Sequence, residues 1–273
     1  MPDESTRRRF LAAGATGLLG FAAGCTTDLP VRIREGEPAP ETSRSSSNSG
    51  ASRPTGESAS QGSSGGDFSA SVRERARKTG AETQRSVVKL RRGNRGGTGW
   101  VVDEGYVVTN SHVVRGGDTF EVETYDGQTA TATRVGYHRD LRPDVALLRA
   151  DLPDVPALSL GSVDALDADQ PVVTVGHPAR LGDWVISLGR FAGYRESVDW
   201  VLSTVPADNG NSGGPLVTLD GEVVACVSGT TRRASSRLDR PEKVFTSFPR
   251  PDDLTAGAPA GTVERWVREW RSE

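Results

Sequence analysis

A serine set among glycines, Gly210-Asn211-Ser212-Gly213-Gly214, stands directly before the apolar run Pro215-Leu216-Val217. Glycine tolerates positive φ and close backbone approach, so this loop can turn sharply. Such a turn can aim the backbone N–H groups of Gly210 and Ser212 at one point. That point is where the oxygen of a carbonyl attacked by Ser212 Oγ would carry its charge. A hydroxyl needs a base whose pKa lies near the working pH, and imidazole meets that need. The chain has three histidines. His112 follows two β-like runs within Thr98–Val114 and is expected at a strand end. His138, in His138-Arg139-Asp140, reads as a solvated side chain. His177, in Gly176-His177-Pro178, reads as a turn residue after a buried strand. Asp144 opens Asp144-Val145-Ala146-Leu147-Leu148, a charge placed immediately before an apolar strand, which is equally the pattern of a plain strand-edge acid.

The elements that must position these residues are mostly short strands. A capping box at Ser71-Val72-Arg73-Glu74 with Gly80 as a stop predicts a short opening helix. β-like runs follow at Ser86–Arg91, Gly99–Asp103 and Tyr106–Thr109. Asp126-Gly127 and Asp220-Gly221 each join two runs rich in β-formers and predict hairpins. Val145–Leu148 and Val172–Val175 are wholly apolar and are expected to be central, and Trp184–Phe191 and Val198–Val205 form a further pair. Helical periodicity returns only near the end, where Val263, Trp266, Val267 and Trp270 fall at i, i+3, i+4 and i+7. Many short strands at even spacing predict an all-β fold, a sandwich or a pair of barrels.

The N-terminus reads as an address. Arg7-Arg8-Arg9 precedes the apolar stretch Phe10–Ala23, which is shorter than the about 20 residues a membrane-spanning helix needs. This is the pattern of a twin-arginine export signal over residues 1–25. Ala22-Ala23-Gly24-Cys25 resembles a lipobox, with Cys25 as the lipid attachment site, although Ala22 stands where Leu is usual. Residues 26–68 are rich in Ser, Gly, Pro and Thr and predict a flexible tether between membrane and folded domain. The folded domain is expected over residues 69–273. A net charge of −3 gives no nucleic-acid footprint. Cys226 lies in an apolar strand pattern and reads as a buried hydrophobe, so no disulfide framework is expected. No metal-ligand cluster and no phosphate loop are evident, so no cofactor is implied, and self-association is left open.

Thr98–Val114, Asp144–Leu148 and Gly210–Val217 together resemble the trypsin/chymotrypsin-like serine proteases, and specifically the HtrA (Deg) branch. The order His112, Asp144, Ser212 and the spacings of 32 and 68 residues fit that branch. So do Thr109-Asn110-Ser111-His112-Val113-Val114 and the segment Val175-Gly176-His177-Pro178, although HtrA proteins usually carry Asn where His177 stands. The resemblance spans roughly residues 82–248. It implies a double six-stranded β-barrel and a Ser-His-Asp triad in which Ser212 is the nucleophile, His112 the base and Asp144 the orienting acid. The backbone of Gly210 and Ser212 would form the oxyanion hole. Ser228, in Val227-Ser228-Gly229-Thr230, matches the strand residue that supports the acid and flanks substrate. Pro206 stands where trypsins keep a pocket Asp, so a preference for Arg or Lys is unsupported. Asn211 replaces the Asp that zymogen-type relatives pair with a freed N-terminus, so activation by clipping is not expected. About 60 residues follow Ser212 and end helically, which leaves no room for a PDZ domain. The function implied is an exported serine endopeptidase acting on unfolded proteins at the cell surface. A non-catalytic relative that binds misfolded chains is the alternative. A serine esterase is disfavoured because the motif is not the Gly-x-Ser-x-Gly elbow and the triad order differs.

Overall fold

The structure, a computed structural model, describes residues 33–35, 68–179, 181–230 and 254–273. The export signal, Cys25 and the tether, apart from 33–35, lie outside the described residues. Six strands form a first closed barrel: β2 (Val87–Arg92), β3 (Arg95–Asp103), β4 (Tyr106–Thr109), β5 (Thr119–Thr124), β6 (Thr129–Tyr137) and β7 (Ala146–Arg149), in the order β2-β3-β4-β7-β6-β5. A second six follow: β8 (Pro171–Gly176), β9 (Val185–Arg195), β10 (Trp200–Ser203), β11 (Pro215–Thr218), β12 (Val223–Thr230) and β13 (Thr255–Pro259). They run β9-β10-β13-β12-β11-β8, and the β8–β9 pairing closes the ring. A three-residue strand β1 (Ile33–Glu35), within the stretch read as tether, pairs parallel with β9 opposite Ile186–Leu188. The expected all-β double barrel is therefore the observed architecture.

Side-chain patterning accounts for the two rings. In β5, Phe120, Val122 and Thr124 are buried while Thr119 and Glu121 face solvent, the alternation of a strand with one face on a core. Both predicted hairpin turns are present, with Gly127 at φ +81° and Gly221 at φ +88°. Strands β8 and β11 are buried on both faces, and so is Val223–Val227 of β12. The reason is that the largest apolar cluster lies between the barrels, joining Val87, Trp100 and Leu147 to Val175, Ile186 and Cys226. Separate clusters fill each barrel interior.

The opening helix departs from the expectation. It spans α1 (Ala70–Gln84), and its cap is Ser69, whose Oγ accepts from Val72 N at 3.3 Å. Gly80 does not stop it. Gly80 is needed inside because Ile186 lies against it, and a Cβ there would sit 2.6 Å from Ile186 Cγ2. Strand β13 has no local signal, because Thr255-Ala-Gly-Ala-Pro259 lacks bulky β-formers. The terminal helix α3 (Ala260–Ser272) forms as its stripe predicts. Val263, Val267 and Trp270 are buried, each worth about 1.5–3 kcal/mol of apolar burial for a fully covered side chain. Trp270 lies over Gly136 of β6 so closely that a Cβ at Gly136 would collide with the indole. The last helix thus ties the second barrel back to the first.

Candidate active site

Adjacent strand ends bring His112 and Asp144 together. Strands β4 and β7 pair antiparallel, with Thr109 opposite Ala146. The chain leaving β4 turns through α2 (Ser111–Val114) just where the chain entering β7 carries Asp144. The residues flanking His112 clamp that entry. Asn110 Nδ2 donates to Asp144 O at 2.7 Å, and Ser111 Oγ donates to Val145 O at 2.5 Å. Asp144 then uses both carboxylate oxygens on His112. Oδ1 accepts the backbone N–H at 3.0 Å, and Oδ2 faces ring Nδ1 at 2.6 Å. An ionised carboxylate only accepts, so Nδ1 carries the proton and Nε2 presents a lone pair.

Ser212 is delivered from the other barrel, in the loop between β10 and β11. Ser212 O accepts from Thr98 N at 2.9 Å, and Gly213 N donates to Val227 O at 2.7 Å. Gly213, at φ +89°, is pressed against Thr98 and Thr109, where a Cβ would collide. Ser212 Oγ donates to Ser228 O at 3.2 Å. Its single proton is held there, and it reaches another acceptor only when the hydroxyl rotates. Ser228 Oγ lies 3.3 Å from Asn110 Nδ2, so Ser228 reaches the main chain of Asp144 through Asn110. Hydrogen bonds thus connect Ser212, Ser228, Asn110, Asp144 and His112 in one cluster.

The loop before Ser212 is tightly folded. Gly210 adopts φ +101°, its carbonyl accepts from Thr98 Oγ1 at 2.6 Å, and Asn209 O accepts from Ala179 N at 2.9 Å. Asn211 is buried, with Oδ1 accepting from Asp208 N at 3.4 Å. Among the described residues, neither the Gly210 N–H nor the Ser212 N–H has an acceptor. Pro206 is half-buried in the same loop, after Val205, whose carbonyl takes a bond from Thr255 Oγ1 at 2.7 Å. Cys226 is wholly buried near Asn110 Nδ2, and burial, reinforced by the Asp144 charge, pushes its thiol far up, so it stays neutral. Among the described residues no three His, Cys, Asp or Glu side chains cluster as metal ligands.

The other histidines differ from their sequence readings in instructive ways. His138 is not a solvated side chain. Its ring packs edge-on against Trp266 at 4.2 Å and lies 5.1 Å from Trp270, and burial lowers its pKa. The cause is α3 folding back over the β6–β7 connection, a contact invisible in the local sequence. His177 is the turn residue expected, but deeply buried beside Trp184 and Asp183. Sequence alone does not mark Asn110, Thr98 and His177 as site residues. Each sits inside a quoted motif, yet its role depends on a partner from the other barrel.

The trypsin-like peptidase domain family matches residues 97–225. A probable periplasmic serine endoprotease, DegP-like, from Halomonas elongata is 38% identical over 148 residues, 52% of this chain and 31% of that protein. The chain therefore spans about a third of the length of that curated relative. The solved HtrA-type protease AlgW with tripeptide superposes with a TM-score of 0.58 at 22% identity, over 70% of this chain and 62% of that one, and supports the fold. The Rv3671c protease in an inactive form gives a TM-score of 0.54 at 25% identity, over 70% of this chain and 91% of that one. Residues 97–225 thus carry a trypsin-like peptidase domain, and the chain is similar in sequence and fold to HtrA-type serine endoproteases.

Proposed function

We propose that the chain is a serine endopeptidase that hydrolyses peptide bonds in unfolded polypeptides outside the cytoplasm. The observation that carries this reading is the 2.6 Å contact of Asp144 with His112 Nδ1, in a cluster that also binds Ser212. With Nδ1 protonated, Nε2 is the atom able to take the Ser212 proton as Oγ attacks the scissile carbonyl. Asp144 holds the ring in that tautomer and stabilises the imidazolium. The oxyanion falls to the N–H groups of Gly210 and Ser212, each such donor being worth roughly 2.7–4 kcal/mol in the transition state. His112 returns the proton to the leaving amine, and a water activated by the same nitrogen then releases the acyl group from Ser212.

Ser228 flanks the substrate through its carbonyl, which Ser212 Oγ vacates on rotating to His112. Pro206, without a charge, gives no basis for an Arg or Lys preference, and small aliphatic side chains are the expected choice. Export runs by the twin-arginine signal, with Cys25 lipidated and the domain held at the outer face of the membrane. The naming of the Halomonas elongata relative as periplasmic supports export. Protein quality control at the cell surface is the role these features fit together. Incubating the mature protein with casein tests the reading: degradation is expected and is abolished by Ser212→Ala. Binding of casein without cleavage by the wild-type chain would favour a non-catalytic peptide-binding protein instead.

A further inference from the structure

His177 takes no part in the chemistry above, yet it lies directly behind the loop assigned to the oxyanion hole. Its carbonyl presses on Gly210, where a Cβ would collide with it. Its N–H donates to Thr98 Oγ1 at 3.3 Å, and that hydroxyl donates to Gly210 O at 2.6 Å. Two residues on, Ala179 N holds Asn209 O at 2.9 Å. The peptide joining Asn209 to Gly210 therefore rests on the backbone of residues 177–179.

The ring of His177 anchors the far end of the same turn. Its side chain is 3% exposed, and Nδ1 lies 3.2 Å from Trp184 N and 3.5 Å from Asp183 Oδ1. A nitrogen can serve only one of these at a time. Neutral, with a lone pair on Nδ1, it accepts the Trp184 N–H. Protonated at both nitrogens, it turns an N–H toward Asp183 and faces the Trp184 N–H with another donor. Trp184 has little freedom to adapt. It sits at φ +50°, with its indole N–H on Val87 O at 3.2 Å, its carbonyl taking Gln84 Nε2 at 2.6 Å and its ring edge-on to Tyr125 at 5.8 Å. A bulky residue at positive φ is a strained position that its surroundings must hold.

We infer that His177 is a positioning residue for the Asn209–Gly210 peptide, holding it in place only while the imidazole is neutral. Acid then disarms the enzyme by a route separate from protonation of His112. The charged groups facing the ring are Asp183, which favours the imidazolium, and Lys89 of β2, which opposes it and is itself paired with Asp183. The Val88 backbone, also from β2, favours the charged form, while burial, the largest effect, lowers the pKa below 6.5. The folded pKa being lowered, the unfolded chain takes the proton first. Stability from this group is complete above pH 6.5 and is lost as pH falls through the folded value. The residue usual in HtrA proteins at this place, Asn, would put an acceptor oxygen where Nδ1 stands without a titrating proton.

This inference rests on the reading of Gly210 as an oxyanion donor, and the test separates the two. In full-length Ser212→Ala protein labelled with ¹⁵N, the backbone amides of Gly210 and Trp184 are followed by NMR as pH is lowered, beside the three imidazoles. Both amides are expected to move with the His177 midpoint, and to stop doing so in Ser212→Ala/His177→Asn. Peptide hydrolysis is measured in parallel, each enzyme normalised to its own plateau. Log kcat against pH should steepen from a slope of 1 to 2 on the acid side for wild type and stay at 1 for His177→Asn. Static amides, amides that follow His112, or a His177 that stays neutral down to acid unfolding would each overturn the inference. Absence of hydrolysis with amides that follow His177 would instead retain the coupling and overturn the catalytic reading.

Discussion

Replacing Asp144 by Asn tests the orienting role proposed for the carboxylate at almost no change in volume. The two oxygens of Asp144 have distinct partners, the His112 backbone N–H at Oδ1 and ring Nδ1 at Oδ2. The backbone N–H can only donate, so the single oxygen of Asn is pinned at the Oδ1 position. Its NH₂ then occupies the Oδ2 position and points a donor at Nδ1. The ring must answer with a lone pair on Nδ1, which moves its proton to Nε2, the atom proposed to receive the Ser212 proton. Loss of the carboxylate in a triad of this design lowers turnover about 10⁴-fold. At 1.36 kcal/mol per tenfold this is about 5.4 kcal/mol of transition-state stabilisation. The assay is kcat on a quenched-fluorescent peptide, with the thermal midpoint measured alongside to separate chemistry from folding. A loss below about tenfold in a protein with an unchanged midpoint would refute the tautomer argument.

Three further substitutions probe the scaffold. Gly210→Ala places a Cβ against the His177 carbonyl at φ +101°, and is expected to cut kcat roughly 10²–10³-fold, the cost of one oxyanion donor. Unchanged kcat would show that the Gly210 N–H is not a donor. Gly80→Ala should lower the urea midpoint, because overpacking against Ile186 at about 1–3 kcal/mol outweighs the gain of about 1 kcal/mol usual for this change in a helix. A raised midpoint would contradict the close packing of α1 on β9. Trp270→Ala should cost about 3–5 kcal/mol and let the His138 pKa rise toward 6.5, since burial is what lowers it. An unmoved His138 titration in NMR would deny that α3 covers it.

Local pattern made most of the strands legible, because alternation, apolar runs and Asp-Gly turns are properties of a few neighbouring residues. The β-like run Tyr106–Thr109 is strand β4 to the residue, and both hairpins lie where their turns predict. What failed was decided from a distance. Gly80 looks like a stop until Ile186, about a hundred residues further on, supplies a reason for it inside a helix. Ser71 looks like a cap, yet Ser69 takes the role, one turn placement that capping chemistry alone does not separate. His138 is charged in context and aromatic in contact, because α3 returns over it. For the site, the order and spacing of His112, Asp144 and Ser212 pointed to one crevice, and the β4–β7 pairing explains why the first two meet. The parts that hold them, Asn110 on Asp144 and Ser228, and Thr98 on Gly210 and His177, join segments more than 30 residues apart. Spacing along the chain carries no record of such bonds.

The most direct measurement is mass spectrometry of the purified wild-type protein after reaction with diisopropyl fluorophosphate, beside Ser212→Ala and His112→Ala. A single adduct on Ser212 is expected, absent in Ser212→Ala and strongly slowed in His112→Ala. A folded wild-type chain that takes up no reagent, or takes it up equally well without His112, would contradict the assignment of an activated serine.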